Sequence, residues 1–464
     1  MSHKFKIRGF NLVESILRHS EEQLRRFIRR MEKLKFNTLI VHYDYGWNRF
    51  KNIIMEEARK ANIEVCLMVF GPRTIYRFVD YKPEWLAKNE DGSLITDKLE
   101  CNTKPCGSNL EALEAYGYGI KQFLKALPKE IKRIQLRYAD GSCYCQCPLC
   151  RNLPEYKHWL PFVEVAAKVF AEKRPDISTE YDAYVKRWDL PEGNGLPVNI
   201  DRIMFDTFGR QISVPIGKKS NHTDMVKYLV SKKGLDAESF NEYLANRISD
   251  WTKSYPRKVY IHENLMVQGQ ASINGDHTGV LLEDLRLYRD IGVQGVCYEA
   301  YELGYEHFEQ TVKILSEAML DIDSLADHRP TRLEKAITSG QWDVGSIFCK
   351  DKTFPLEEYI SDTIVRSHIQ NYRDLLNEPN PRNLKKFVEH LYKYKEHFDF
   401  LVAAFWACKW CMAKGSIKLA RASEAVRNML EFNKLWDFME DVSIEEDPRK
   451  VVEKLLIDAV KHAE

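Results

Sequence analysis

No apolar run in this 464-residue chain reaches the roughly 18–20 residues that a membrane-spanning helix needs. Charge of one sign is missing too. The chain carries 69 basic and 68 acidic side chains for a net charge of +1, which gives no electrostatic case for nucleic acid or an anionic membrane as partner. The opening MSHKFKIRGF runs into a strand-like segment without the apolar core of a signal peptide, so a cytoplasmic protein with reduced thiols is expected. Eleven cysteines, an odd number in a long chain, fit a disulfide framework poorly. There is no HxH or HExxH to begin a catalytic metal site, no internal repeat and no low-complexity segment. What remains is an ordinary globular composition, 44% hydrophobic and 30% charged. Aromatics reach 12%, which suits rings stacking on sugar faces and suits simple core usage equally well.

From residue 5 to about 320, short aliphatic or β-branched runs alternate with amphipathic stretches. Strands are expected at 6–10, 37–43, 63–70, 133–139, 177–184, 201–209, 258–265 and 293–300. Helices fill nearly every gap, for example EEQLRRFIRRMEKLK (21–35) and LLEDLRLYRDIG (281–292). Strands separated by helices pair in parallel through crossovers. Eight such units predict an α/β fold, a (β/α)8 TIM barrel over 1–325, with its active-site face at the C-terminal ends of the strands. An open doubly wound sheet is the alternative, but no glycine-rich phosphate loop follows an early strand. Past 325 the pattern becomes helical, and residues 326–464 are expected to form a C-terminal α-helical domain. Cys408 and Cys411 there share one helix face and read as packed core thiols.

Chemistry is most concentrated at Cys143-Tyr-Cys145-Gln-Cys147-Pro-Leu-Cys150, which follows the fourth strand. Four thiols in eight residues on a loop suit a metal better than disulfides. Zn²⁺ takes four tetrahedral ligands, and thiolates supply them in structural sites. A CxCxxC provides three, and the fourth can be Cys143, Cys101 or Cys106. The last two lie in the loop after strand three, next door in a barrel.

The segment CYCQCPLCR (143–151) resembles the zinc-bearing β-galactosidases of glycoside hydrolase family 42, which carry one cysteine after barrel strand three and CxCxxC after strand four. Cys101 precedes Cys145 by 44 positions, a spacing similar to theirs. The resemblance implies Cys101, Cys145, Cys147 and Cys150 as ligands of a structural Zn²⁺. Four thiolates leave no open position for water, so such a metal braces loops and does not catalyse.

Glycosidases generally need two carboxyl groups flanking the scissile bond. Acids expected at strand ends are Asp140, Asp182, Asp206, Glu263, Glu299 and Glu302. Family 42 closes strand four with Asn-Glu and has a second Glu on strand seven, whereas this chain has Ala139-Asp140 in the first place. A second resemblance is to the α-glucuronidases of family 67. Tyr138-Ala139-Asp140 is similar to part of their strand-four segment. Asp206 in IMFDTFG and Glu263 in VYIHENLMVQGQ match the strand-six Asp and strand-seven Glu that activate water. Arg8-Gly9-Phe10 resembles the first-strand Arg-Gly that related barrels place near sugar hydroxyls.

The expected catalytic set is Asp140 as acid, Glu263 as nucleophile or base, and Asp206 assisting. With Glu263 facing the lumen, His262 falls to the core. Arg8, His42, Asp44, Trp47, Arg73, Asp182, Glu299 and Tyr301 are expected to bind substrate, while Arg137 reaches the lumen only through a bulge. These readings predict a glycoside hydrolase acting on an oligosaccharide or uronate-bearing sugar, with carbohydrate as its partner and a homo-oligomer left open. A non-catalytic barrel of the same fold that binds a saccharide or protein partner is the alternative.

Overall fold

A computed structural model describes residues 4–13, 16, 20–80, 82–95, 104–138, 144–192, 195–210, 214–219, 239–263, 278–300 and 309–325. The expected C-terminal helical domain, 326–464, lies outside the described residues.

Eight parallel strands close into a barrel in chain order. They are β1 (Ile7–Leu12), β2 (Thr38–His42), β3 (Glu64–Phe70), β4 (Arg133–Arg137), β5 (Ser178–Ala183), β6 (Ile200–Asp206), β7 (Val259–Glu263) and β8 (Gly295–Ala300). The ring closes where β8 pairs with β1, Ile7 opposite Gly295 through Leu12 opposite Ala300. Around it run α1 (Glu21–Lys33), α2 (Asn48–Ala61), the short α3 (Gly71–Ile75), α4 (Leu110–Ala126), α5 (Leu160–Lys173), α6 (Phe240–Ser254), α7 (Thr278–Asp290) and α8 (Glu309–Leu320). The (β/α)8 barrel expected from the strand-helix rhythm is therefore present.

Helix α1 illustrates how sequence builds the outer ring. Ser20 and Gln23 form a capping box that satisfies orphan N–H groups at its start. Leu24, Phe27, Ile28 and Met31, spaced three and four apart, all turn inward and are buried. Phe27 meets Phe10 of β1 edge-on at 5.4 Å. The same layer takes in Trp47, Trp159, Trp188 and Trp251, all in the main hydrophobic core.

Inside the ring, a separate apolar belt is formed by Ile7, Ile40, Cys66, Met68, Met204, Tyr260 and Cys297. Below it, toward the N-terminal strand ends, lies a buried polar plug. Arg133 Nε donates to Glu180 Oε1 at 2.6 Å and its Nη1 to Glu64 Oε2 at 2.7 Å, while the Tyr260 hydroxyl donates to Glu180 Oε2 at 2.7 Å. Burial opposes ionisation of Glu180, but Arg133 outweighs it and holds the carboxyl below its ordinary range.

The strand-one Arg-Gly belongs to this closed end and not to the mouth. Arg8 donates to the carbonyls of Phe5 (2.6 Å) and Lys35 (2.9 and 3.1 Å), at the turn that leads into β2. The expected sugar-binding role of Arg8 is thus corrected: it sits on the N-terminal rim. Gly9 is required by packing, since a Cβ there would lie 2.1 Å from the Thr38 carbonyl oxygen.

Removing one partner of a buried pair strands the other charge. Arg133→Leu is expected to cost about 3–5 kcal/mol in urea unfolding. The double variant Arg133→Leu/Glu180→Leu should recover most of that loss.

Candidate functional site

Alternation along each strand sends every second residue into the lumen. At the C-terminal ends this brings together Asn11 (β1), His42 (β2), Phe70 (β3), Arg137 (β4), Asp182 (β5), Asp206 (β6), His262 (β7) and Glu299 (β8). The polar members of this layer are all buried.

Asp206 and His262 form its centre. His262 Nδ1 lies 2.8 Å from Asp206 Oδ2, and Asn11 Nδ2 lies 3.0 Å from His262 Nε2. An Asn11 amine donating to Nε2 leaves the ring proton on Nδ1, directed at Asp206. The backbone N–H of Phe208 donates to Asp206 Oδ1 at 2.8 Å. Burial works against the His262 imidazolium, but Asp206, helped by Glu299, outweighs it and raises the pKa above the ordinary histidine value.

Arg137 links the two carboxylates. Its Nη1 is 3.4 Å from Asp206 Oδ2 and its Nε is 3.7 Å from Asp182 Oδ2, with the guanidinium 4.0 Å over the Tyr184 ring. No bulge was needed: Arg133, Gln135 and Arg137 take the same side of a regular strand. Asp182 is held differently from Asp206. Among the described residues neither carboxylate oxygen has a hydrogen-bond partner, and Arg187 Nη2 stands 3.9 Å away. Burial pushes the Asp182 carboxyl up to about 6, against the pull of Arg137 and Arg187.

His42 stacks on Tyr45 at 5.4 Å and faces Phe70 at 5.3 Å. Burial, reinforced by Arg137 and His262, holds it well below the ordinary histidine range, so the ring is neutral. Among the described residues neither ring nitrogen has a hydrogen-bond partner.

Several expected residues stand elsewhere. Glu263 faces the helices, not the lumen. It accepts from Thr207 Oγ1 at 3.0 Å, pairs with Arg210 Nε at 3.0 Å and accepts from the Tyr288 hydroxyl of α7. The physical reason is strand parity: Glu263 lies opposite outward-facing Tyr298, and His262 lies opposite Cys297 of the lumen belt. The expected orientations of His262 and Glu263 are therefore exchanged, and the role foreseen for Glu263 does not fit its position. Asp44 is tied to Arg77 Nη1 (2.8 Å) and Thr74 Oγ1 (2.7 Å), and Trp47 is packed in the outer core, so neither offers a face to a sugar. Asp140, Tyr301 and the Arg73 side chain lie outside the described residues. The residues that sequence reading missed, Asn11, Arg137 and His262, could have been found from lumen parity once one inward residue per strand was known.

The cysteines gather at the same rim. Sulfurs of Cys106, Cys145, Cys147 and Cys150 all lie within 4.8 Å of one another. Cys106 is 3.5 Å from Cys150 and 3.9 Å from Cys147. Zn–S bonds of about 2.3 Å set tetrahedral edges of about 3.8 Å, so the set fits one four-thiolate centre. Among the described residues the fourth thiol is Cys106; the expected Cys101 lies outside them.

The backbone is arranged for this. The 147–150 turn closes with Cys150 N donating to Cys147 O at 2.8 Å, and Lys88 N donates to Cys145 Sγ at 3.4 Å. Thiol hydrogen bonds with Cys106 and Cys150 hold Cys145 far below the ordinary range, and those with Cys145 and Cys150 push Cys106 far above it. Four thiolates this close would repel one another, and a divalent cation would offset that repulsion. With Ala87, Ile95 and Leu153, the cluster makes a small core of its own between the loops after β3 and β4.

Glu263→Gln disturbs a buried ion pair outside the lumen. It is expected to lower stability by about 3 kcal/mol in urea unfolding, while the folded variant keeps whatever activity the wild-type protein shows.

No protein-family model matches this chain, and no curated protein matches it. Solved structures with a similar fold include an endo-β-1,4-mannanase from Thermotoga petrophila, at 10% identity and TM-score 0.39, covering 68% of this chain and 77% of that one. Others are a β-N-acetylhexosaminidase from Bacteroides fragilis (14%, 0.43, 73% and 70%) and the catalytic domain of a β-amylase from Paenibacillus polymyxa (7%, 0.42, 71% and 100%).

Proposed function

We propose that this protein is a glycoside hydrolase that cleaves an O-glycosidic bond of an oligosaccharide or uronate-bearing sugar with two lumen carboxyls, Asp182 and Asp206. The observation that carries this reading is their unequal environment. Asp182 is buried without a hydrogen bond and its carboxyl is pushed up to about 6, which suits a proton donor. Asp206 accepts from His262 and from a backbone N–H and faces Arg137, which favours its anion. Two carboxyls in such unlike surroundings can divide acid and base work between them.

In this mechanism Asp182 gives its proton to the leaving glycosidic oxygen, and the Asp206 carboxylate serves as nucleophile or as base for water. His262, fixed between Asn11 and Asp206, keeps that carboxylate charged and oriented. Neutral His42, with both nitrogens available, can accept from or donate to a sugar hydroxyl, and Tyr45, Phe70 and Tyr184 line the surroundings. Asp140, expected to follow strand four, is a further acid candidate, and the same assays test it.

Assays use aryl α- and β-glycosides, glucuronides included. Asp182→Asn and Asp206→Asn should each lower kcat by roughly 10²–10⁴-fold. An acid whose pKa is raised donates only while protonated, so kcat/KM should fall as pH rises through about 6. Full turnover in both variants would sink the proposal, and loss only in Asp140→Asn would move the acid to strand four.

We also assign Zn²⁺ to Cys106, Cys145, Cys147 and Cys150 as a closed structural centre that supplies bracing and no chemistry. Metal analysis of purified protein should give about one zinc per chain. Cys106→Ser should lose it and melt earlier, whereas Cys101→Ser should retain it.

A further inference from the structure

The two loops joined by the cysteine cluster converge on one ring. Lys104, two residues before Cys106, places Nζ 4.9 Å over the face of Tyr138. Tyr144, next to Cys145, lies parallel to Tyr138 with centroids 6.0 Å apart and planes 1° from coincident. Tyr138 follows β4 directly and packs on Trp159 at 5.2 Å. The remaining cation on its ring is Arg187, 5.4 Å from the centroid. Arg187 is also the residue that approaches Asp182 from the turn after β5, by Nη2 at 3.9 Å and by Nε to the Asp182 carbonyl at 3.5 Å. Lys104, Tyr138, Tyr144, Trp159 and Arg187 are all buried.

We infer that Arg187 is the positioning residue of Asp182 and that the cysteine centre controls it: the clamped thiolates seat Lys104 and Tyr144 around Tyr138, and this aromatic stack seats Arg187 against the carboxyl. The inference rests on Asp182 as the acid of the proposed reaction. Physically, a cation near 4 Å from a buried carboxyl in a low-dielectric site acts strongly on its proton affinity. A shift of the stack alters that distance without moving the barrel strands. The other groups facing Asp182 are Arg137 from β4, Asp206 from β6 and His262 from β7. All three are carried by strands, so Arg187 is the member of the set that a rim loop can move.

The test reads Asp182 directly. The pH midpoint of its carboxyl-carbon NMR signal, identified by its disappearance in Asp182→Asn, is followed in the full zinc-loaded chain and in variants. Withdrawing a nearby cation favours the protonated carboxyl, so Arg187→Met should raise the midpoint by about 1 pH unit. Tyr144→Leu, which keeps every cysteine, and Cys106→Ser should move it in the same direction. An unchanged midpoint in Arg187→Met overturns the positioning role. A shift in Arg187→Met without one in Tyr144→Leu overturns control by the cysteine centre, even where Cys106→Ser fails to fold. If the midpoints move as expected while no glycoside is turned over, the coupling stands and the proposed hydrolase activity falls.

Discussion

In a closed parallel barrel each strand residue has two destinations, the lumen or the helical shell, and chemistry depends on which it takes. Position along the strand decides depth, and parity decides side. His262 and Glu263 are neighbours with similar burial, yet one joins the carboxylates at the mouth and the other joins Arg210 and Tyr288 beneath α7. The same rule sends Arg137 inward and Tyr138 outward. Through that single step β4 serves both the charged layer in the lumen and the aromatic stack beside it.

Burying so many charges requires that they be arranged as sets. The lumen holds two, one at each end, separated by the apolar belt around Met68, Met204 and Tyr260. At the closed end, Arg133 satisfies Glu64 and Glu180 with short, direct bonds, the pattern of a structural plug. At the open end the bonding is uneven, with Asp206 held at 2.8 Å both by His262 and by the Phe208 N–H. Arg137 stands 3.4 and 3.7 Å from its two carboxylates, and Asp182 keeps both oxygens unbonded. An incompletely satisfied polar layer costs stability, and such sites are where function concentrates.

The cysteine cluster solves a different problem. It draws the loops after β3 and β4 together, where four sulfurs with Ala87, Ile95 and Leu153 form a small core of their own. A metal held by all four thiolates, as proposed, would have no ligand position left for substrate. The proposed influence of this centre on the mouth would run through the side chains that flank the ligands, Lys104 and Tyr144.

Much of this was legible in the residues alone. The helical periodicity of 21–35, the eight short apolar runs and the spacing of Cys145, Cys147 and Cys150 follow from local rules of period and ligand reach, so they announced the barrel and the thiol centre directly. Asp182, Asp206, His42 and Glu299 could be named because each ends a strand. The roles of His262 and Glu263, the choice of Cys106 as fourth thiol and the withdrawal of Arg8 to the closed rim were decided only by the tertiary structure. Each depends on which way a side chain turns once strands are paired and loops have met, and a one-residue difference in facing leaves no trace in local composition.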